Sequence, residues 1–350
     1  MQFQLYISNY PFAMLTYDFP TKLVYSFNGP LSPKLFNLDD ILGIYHVKVK
    51  APDNIAHPIL PHKVNNKTIF GIGNWTGWYF SEEIKNAETY GYRFEILEGY
   101  LFEKENIFSG YINDLYERKQ NSDKSDPMYL IAKILMNSLF GRFGLSTWLP
   151  SYSIKNVNDF NELIQNFGVD KLHEAIDFDD NVLFAFNTNT SNSSSNSNIA
   201  VALAVSAYSR IIMSQFKNNP QYNLYYSDTD SIFIDKELNK EFVDPKILGK
   251  FSLEHKLTKF IGLGAKMYGG IDDRGKSFTK VKGLKSKISI EELELLLKQD
   301  AVKVFNQNKW FKSLTKGSIE VKLSPYSLKP NSNKRLLNYD NGILKGEGCG

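Results

Sequence analysis

The sequence is short of cysteine, of net charge and of long apolar runs, and each shortage removes a class of protein. Its one cysteine, Cys349, stands beside the last of 350 residues, so no disulfide framework and no cysteine-rich zinc site can be built. A reducing, intracellular compartment is the default that follows. Lys and Arg number 41 against 38 Asp and Glu, a formal net charge of +3. No global basic field therefore announces a nucleic-acid partner, and any binding of DNA has to use local clusters. The longest apolar run, around Ile199 to Val205, falls far below the ~20 residues of a membrane span, and no membrane insertion is expected. The first residues, Met1-Gln2-Phe3-Gln4-Leu5-Tyr6, have neither the basic-then-apolar order of a secretory signal nor the Arg- and Ser-rich amphipathic character of a transit peptide. If the protein works in an organelle, it is expected to be made there. What is present is apolar bulk: 42% hydrophobic and 14% aromatic residues, enough for a substantial core and more than one subdomain.

The stretch that organises the chain is Tyr226-Ser227-Asp228-Thr229-Asp230-Ser231. Apolar and aromatic residues flank it from Tyr222 to Tyr225 and from Ile232 to Ile234, which predicts a hairpin with carboxylates at its tip. Side chains two apart on extended chain point the same way, so Asp228 and Asp230 can project together if the turn keeps that spacing. Crowded carboxylates repel one another and invite a divalent cation, and Mg2+ takes one or two protein carboxylates plus substrate phosphates. Asp-Thr-Asp in a turn is also an ordinary structural device, because Asp bonds its own backbone. The context separates the two readings: Tyr-x-Asp-Thr-Asp-Ser between two apolar strands resembles motif C of the family B DNA polymerases.

Three further stretches fit that resemblance in the order the family requires. Ser8, Tyr10 and Pro11 resemble motif A, DxxSLYP, in which the tyrosine lies under the incoming sugar and rejects a 2'-hydroxyl. The metal-binding aspartate of that motif should fall at position 5, where this chain has Leu5. A leucine cannot ligate a cation, and losing one of three carboxylates around two metals is expected to cost orders of magnitude in rate. Lys133, Asn137, Ser138, Phe140 and Gly141 resemble motif B, KxxxNSxYG, with phenylalanine in the tyrosine position. Their spacing puts Lys133, Asn137, Phe140 and Gly141 on one helix face. The resemblance implies triphosphate binding for Lys133, sugar and base contact for Asn137 and Phe140, and close passage of the template at Gly141. Lys266-Met267-Tyr268 resembles the KxY motif, whose lysine and tyrosine hold the primer terminus. Lys280, Lys282, Gly283, Lys285 and Lys287 follow it as a basic stretch suited to backbone phosphates. Arg118 and Lys119 are weaker phosphate candidates.

The resemblance implies an α+β fold of polymerase right-hand type: a palm with an antiparallel sheet, helical-hairpin fingers and a small thumb. Residues 1–105 are expected to be the N-terminal part of the palm with an inserted, terminal-protein-region-like subdomain, and Ser81 is read as the N-cap of a short helix toward Glu88. Residues 106–145 are expected to be the fingers, 146–260 palm with motif C, and 261–350 thumb and C-terminal strands, with Ser289 capping a helix and Lys322, Lys334 and Arg335 on strands. Asn187 to Asn198, polar and of low complexity, predicts a mobile loop, and the apolar helix from Ile199 to Phe216 is assigned wholly to core. The implied reaction is template-directed DNA synthesis from a dNTP onto a primer 3'-hydroxyl or the hydroxyl of a terminal protein. Asp228 and Asp230 would hold two Mg2+ ions, with Mn2+ as a substitute, in replication of a mitochondrial linear plasmid. Leu5 favours a second expectation, a catalytically impaired remnant that still binds nucleic acid, or a chain whose biological start lies upstream. No acidic motifs of a 3'-to-5' exonuclease precede motif A.

Overall fold

A computed structural model describes residues 1–29, 41–145, 151–186, 197–313, 318–331, 336–340 and 343–348. The chain opens with strand β1 (Gln2–Tyr6) and helix α1 (Asn9–Thr16), then leaves to build a separate unit. Strands β2 (Phe19–Asn28), β3 (Ile41–Lys50), β6 (Asn74–Phe80) and β7 (Arg93–Glu105) form an antiparallel sheet in the order β2-β7-β3-β6. The small hairpin β4 (His62–Val64) and β5 (Lys67–Ile69) and helix α2 (Ser81–Thr89) complete that unit. Its core is Tyr45, Val47, Val49, Tyr79 and Leu101, alternate residues that share one face of the sheet. Ser81 does not cap α2: its hydroxyl accepts from the Gly43 N–H at 3.0 Å, tying the helix start to β3.

Helices α3 (Ser109–Asn121) and α4 (Pro127–Phe143) make a helical hairpin. Asp126 caps α4 by accepting from the Met128 N–H at 2.8 Å, and Pro127 takes the first helical position, where a missing N–H costs nothing. Residues 151–186, expected as mixed palm, instead form their own three-stranded sheet, β8 (Ser151–Asn156), β10 (Asn181–Phe186) and β9 (Leu172–Phe178), beside helix α5 (Val157–Phe167). Its strands pair only with each other among the described residues, because every register runs within the unit.

The chain then returns through helix α6 (Ile199–Lys217) to a six-stranded sheet of order β11-β12-β1-β13-β14-β15. Its later strands are β11 (Leu224–Asp228), β12 (Ser231–Ile234), β13 (Phe251–Gly264), β14 (Met267–Asp272) and β15 (Ser277–Val281). β13 runs without a break across residue 261, the expected boundary between palm and thumb, so the hairpin of Lys266 and Tyr268 shares one sheet with Asp228. One face of the sheet buries Tyr6, Ile232, Ile234 and Phe251 against Val205, Tyr208, Ile212 and Met213 of α6. Each fully buried side chain of this size contributes roughly 1.5–3 kcal/mol. The opposite face carries Phe3, Tyr226, Phe233 and Tyr268. Helix α7 (Ile290–Leu295), started by a full capping box between Ser289 and Glu292, packs with the long ribbon β16 (Lys303–Ser313) and β17 (Ser318–Leu328). Strands β18 (Leu336–Asp340) and β19 (Ile343–Gly348) pair at the end.

Among the described helices α6 alone is long and apolar enough to cross a bilayer, and more than half of it is buried inside this fold. Of the polar run 187–198, residues 187–196 lie outside the described residues, as do Lys334 and Arg335. Asn198 caps α6, accepting from the Val201 N–H at 3.2 Å.

Candidate active site

The hairpin expected around Asp228 is present: β11 and β12 are joined by a two-residue turn, Thr229 and Asp230. Thr229 sits at φ 51°, a region costly for a β-branched residue. The turn is held from both sides. Ser231 Oγ donates to the Asp228 carbonyl at 3.1 Å, and the Tyr6 N–H donates to the Asp230 carbonyl at 2.7 Å. Cross-strand register aligns Asp228 with Ser231, Ser231 with Leu5, and Leu5 with Ser252. Directly paired residues share a face, so Leu5 lies on the same side of the sheet as Asp228, two strand spacings or about 10 Å away. The tertiary structure thus brings Leu5 into the cross-strand row of Asp228.

Burial pushes the Asp230 carboxyl above its usual range, and the neighbouring Asp228 charge adds to that, against the pull of its own N–H and of Lys266. Lys266 Nζ donates to Asp228 Oδ2 at 2.6 Å, and its backbone N–H donates to the Tyr226 hydroxyl at 2.8 Å. The tyrosine of motif C therefore grips the KxY turn by its backbone while the lysine reaches the aspartate. Lys266 has φ 60°, a strained turn position that this hydrogen bond helps to hold. Tyr268 packs its ring against Tyr226 at 5.1 Å and Phe233 at 5.2 Å. Lys282 follows β15, its N–H donating to the Lys266 carbonyl at 3.0 Å, and its ammonium is exposed. Gly283 turns the chain at φ 85°, where a side chain would be strained and would press on Tyr326.

The Tyr10 ring stacks on Phe140 with centroids 4.3 Å apart, joining motif A to motif B. Burial first, then the Asp230 charge, raises the Tyr10 phenol above its ordinary value, which places Tyr10 within electrostatic reach of the acidic turn. Lys133 is exposed on α4, and Asn137 Nδ2 donates back to the Lys133 carbonyl at 2.9 Å. Gly141 faces open space, where a Cβ would meet nothing of the protein. Arg118 and Lys119 part company. Arg118 pairs with Asp114 at 2.9 Å on the outer surface. Lys119 is half-buried, its ammonium held below the usual range by burial and then by the Lys133 charge. The Lys119 ammonium lies over the Tyr129 ring, 5.8 Å from its centroid.

A cleft of about 470 Å3 collects Tyr10, Asp228 and Lys266 with Ser206, Ser209 and Arg210 of α6. Assigning α6 wholly to core was therefore wrong for one edge. Positions 206, 209 and 210 are polar at i, i+3 and i+4 on a helix that is apolar from Ile199 to Val205, a stripe legible in the sequence. The Arg210 guanidinium grips the buried carboxylate of Glu83, with Nη2 to Oε2 at 2.9 Å.

Asp228 and Asp230 are the hard oxygen donors that Mg2+ accepts. They fit an ion bound by two carboxylates and substrate phosphates. A three-carboxylate cradle does not fit: among the described residues no three His, Cys, Asp or Glu come together as a ligand set, and Leu5 offers no donor.

The family profile described as DNA polymerase type B, organellar and viral, matches residues 7–223. A "Probable DNA polymerase" of Neurospora intermedia is 38% identical over 330 residues, covering 90% of this chain and 34% of its own length. Another, of Ascobolus immersus, is 36% identical over 340 residues, covering 94% of this chain and 28% of its own. The chain thus spans about a third of the length of these relatives. In fold it is similar to Phi29 DNA polymerase complexed with primer-template DNA and incoming nucleotide substrates, with TM-score 0.67 and 17% identity over 94% of this chain and 57% of that one. With the family profile spanning well over half of its residues, the chain belongs to the organellar and viral type B DNA polymerases.

Proposed function

We propose that this chain carries the nucleotidyl-transfer site of a template-directed DNA polymerase, taking primer-template DNA and a dNTP as substrates. The observation that supports it best is the Tyr10–Phe140 stack, which joins motif B to motif A through Tyr10, a residue of the cleft that also holds Asp228 of motif C. In this reading the ring pair forms the floor under the incoming sugar and base, so that Tyr10 excludes a 2'-hydroxyl. Lys133, with Lys119 beside it, neutralises the triphosphate as compact cations do. Asn137 and Gly141 leave room for the nucleotide and template. Lys266 and Tyr268 hold the primer end, and Lys282 with the Gly283 turn lies along the backbone phosphates, positioning the duplex without reading sequence. Asp228 and Asp230 would hold Mg2+, or Mn2+ in its place. A bound divalent ion would supply charge stabilisation at the α-phosphate during in-line attack by the primer 3'-hydroxyl, with pyrophosphate leaving.

Leu5 favours a second reading of the same site, in which DNA and nucleotide bind and transfer is slow. Replication of a mitochondrial linear plasmid, with a terminal-protein hydroxyl as first primer, is the setting we propose. It is supported by the fungal relatives and by the organellar description of the family. Primer extension on a templated DNA hairpin with Mg2+ or Mn2+, beside Asp228→Ala and Leu5→Asp, tests both readings. Extension by the chain as it stands, lost in Asp228→Ala, supports the polymerase. Extension only in Leu5→Asp supports the impaired site, and none in any variant, together with no binding of primer-template, overturns both.

A further inference from the structure

Glu83 is only 3% exposed, a carboxylate taken almost wholly out of water. It stands on α2, in the four-stranded unit, yet its partner is on α6 of the palm: Arg210 Nε donates to Oε1 and Nη2 to Oε2. One helical turn along, Asn86 Nδ2 donates to Ser214 Oγ at 3.2 Å, so the contact between the two helices carries polar rungs at successive turns. A buried ion pair is an expensive way to join two helices, since well-packed apolar residues of the same volume often do it as well or better. What the pair supplies is geometry. Both oxygens of the carboxylate engage the planar fork and lock it, while Nη1 has no protein partner among the described residues. The same guanidinium lines the cleft with Tyr10, Asp228 and Lys266. Lys266 of the same cleft is engaged by Asp228, and Arg210, which lines it with Lys217, is a cation whose orientation the two-point bond to Glu83 fixes. Guanidinium bound on one side and open on the other is suited to a phosphate oxygen.

We propose that Glu83 is a positioning residue, which holds Arg210 in the cleft wall so that its free edge binds a phosphate of the primer-template or of the nucleotide. This rests on the polymerase reading above and deepens it: the four-stranded unit becomes a structural support of the substrate cleft through α2.

The test uses the full chain without divalent metal, so that Leu5 does not enter, and follows the anisotropy of a labelled primer-template over a range of salt. Displacement of a fluorescent dNTP forms a second arm. Plain electrostatics and positioning predict opposite signs. Removing a negative charge beside a polyanion tightens binding or leaves it alone, whereas loss of positioning weakens it. Glu83→Gln is expected to weaken binding about tenfold in one arm, the arm naming the source of the phosphate. In the DNA arm the slope of log affinity against log salt should shrink by about 0.9, the value for one phosphate contact. Arg210→Gln should show the same loss, and Glu83→Gln should add less than twofold in the Arg210→Gln background. If Glu83→Gln does not fold, Glu83→Asp replaces it, keeping the charge while withdrawing the fork, and a loss of at least threefold is expected. Unchanged or tighter binding in both arms, or a Glu83 effect that persists without Arg210, overturns the proposal. Failure of the unsubstituted chain to bind either probe overturns the polymerase reading itself, and the Glu83 assignment with it.

Discussion

The helical side and the sheet side of this site are unequally equipped. On the helical side, Tyr10 stacks on Phe140, and Lys119 lies over the Tyr129 ring. On the sheet side, the row that begins at Asp228 continues through Ser231, Leu5 and Ser252, with no second carboxylate in it. The difference teaches that the two halves are built by different contacts. The ring stack follows from α1 packing against α4 and α6, which the apolar core enforces. The carboxylate set follows from the strand register of β1, where a half-exposed position tolerates leucine without disturbing that core.

The largest effect should come from closing that gap. Leu5→Asp is expected to speed single-nucleotide extension with Mg2+ about a hundredfold or more, tenfold for each 1.36 kcal/mol of barrier. It should also raise the number of Mn2+ ions bound per chain by one in electron paramagnetic resonance. Equal rates and equal stoichiometry would break the comparison. On the helical side, Tyr10→Ala should weaken dNTP binding about fivefold, the scale of an aromatic pair, with duplex affinity unchanged. Phe140→Tyr should stay within about twofold, because it keeps the ring. A loss of duplex binding equal to that of nucleotide would mean that the stack serves the fold alone.

A smaller contrast separates neighbours on α3. Lys119→Gln should weaken binding of a triphosphate about threefold and leave a nucleoside untouched. Arg118→Gln, an exposed pair partner, should change neither, as surface ion pairs contribute about 0–1 kcal/mol. Equal effects would place both residues on the solvated face. The smallest effect is on stability. The Asp230 carboxyl is raised in the folded state, so its ionisation opposes folding: the group favours the fold below its unfolded value, near pH 4, and loses that contribution as pH rises through the folded value. Asp230→Asn should therefore raise the melting temperature at pH 7 by roughly 1–2 °C, with the gain shrinking toward pH 4. A gain that grows on acidification would reverse the sign.

Much of this site can be read from residues alone, because its motifs are local. Asp228 and Asp230 fall within one hairpin, and Lys133, Asn137, Phe140 and Gly141 within one helix, so short-range periodicity places them without knowledge of the fold. Ser289 is legible as a cap for the same reason. Ser81 is not, since its hydroxyl is claimed by Gly43, 38 residues earlier. Residues 151–186 are not either, because alternating strands look alike whether they join the palm sheet or pair among themselves. What the sequence determined by itself is the chemistry at hand: two carboxylates at a turn, a leucine at position 5, and lysines, an asparagine and aromatic residues on a helix. Only the tertiary structure decided which of these meet. Strand register carries Leu5 to the row of Asp228, packing lays Phe140 on Tyr10, and the docking of α2 on α6 sets Glu83 against Arg210. Those contacts span more than a hundred residues of chain, and at that range only the shared core decides which side chains come together.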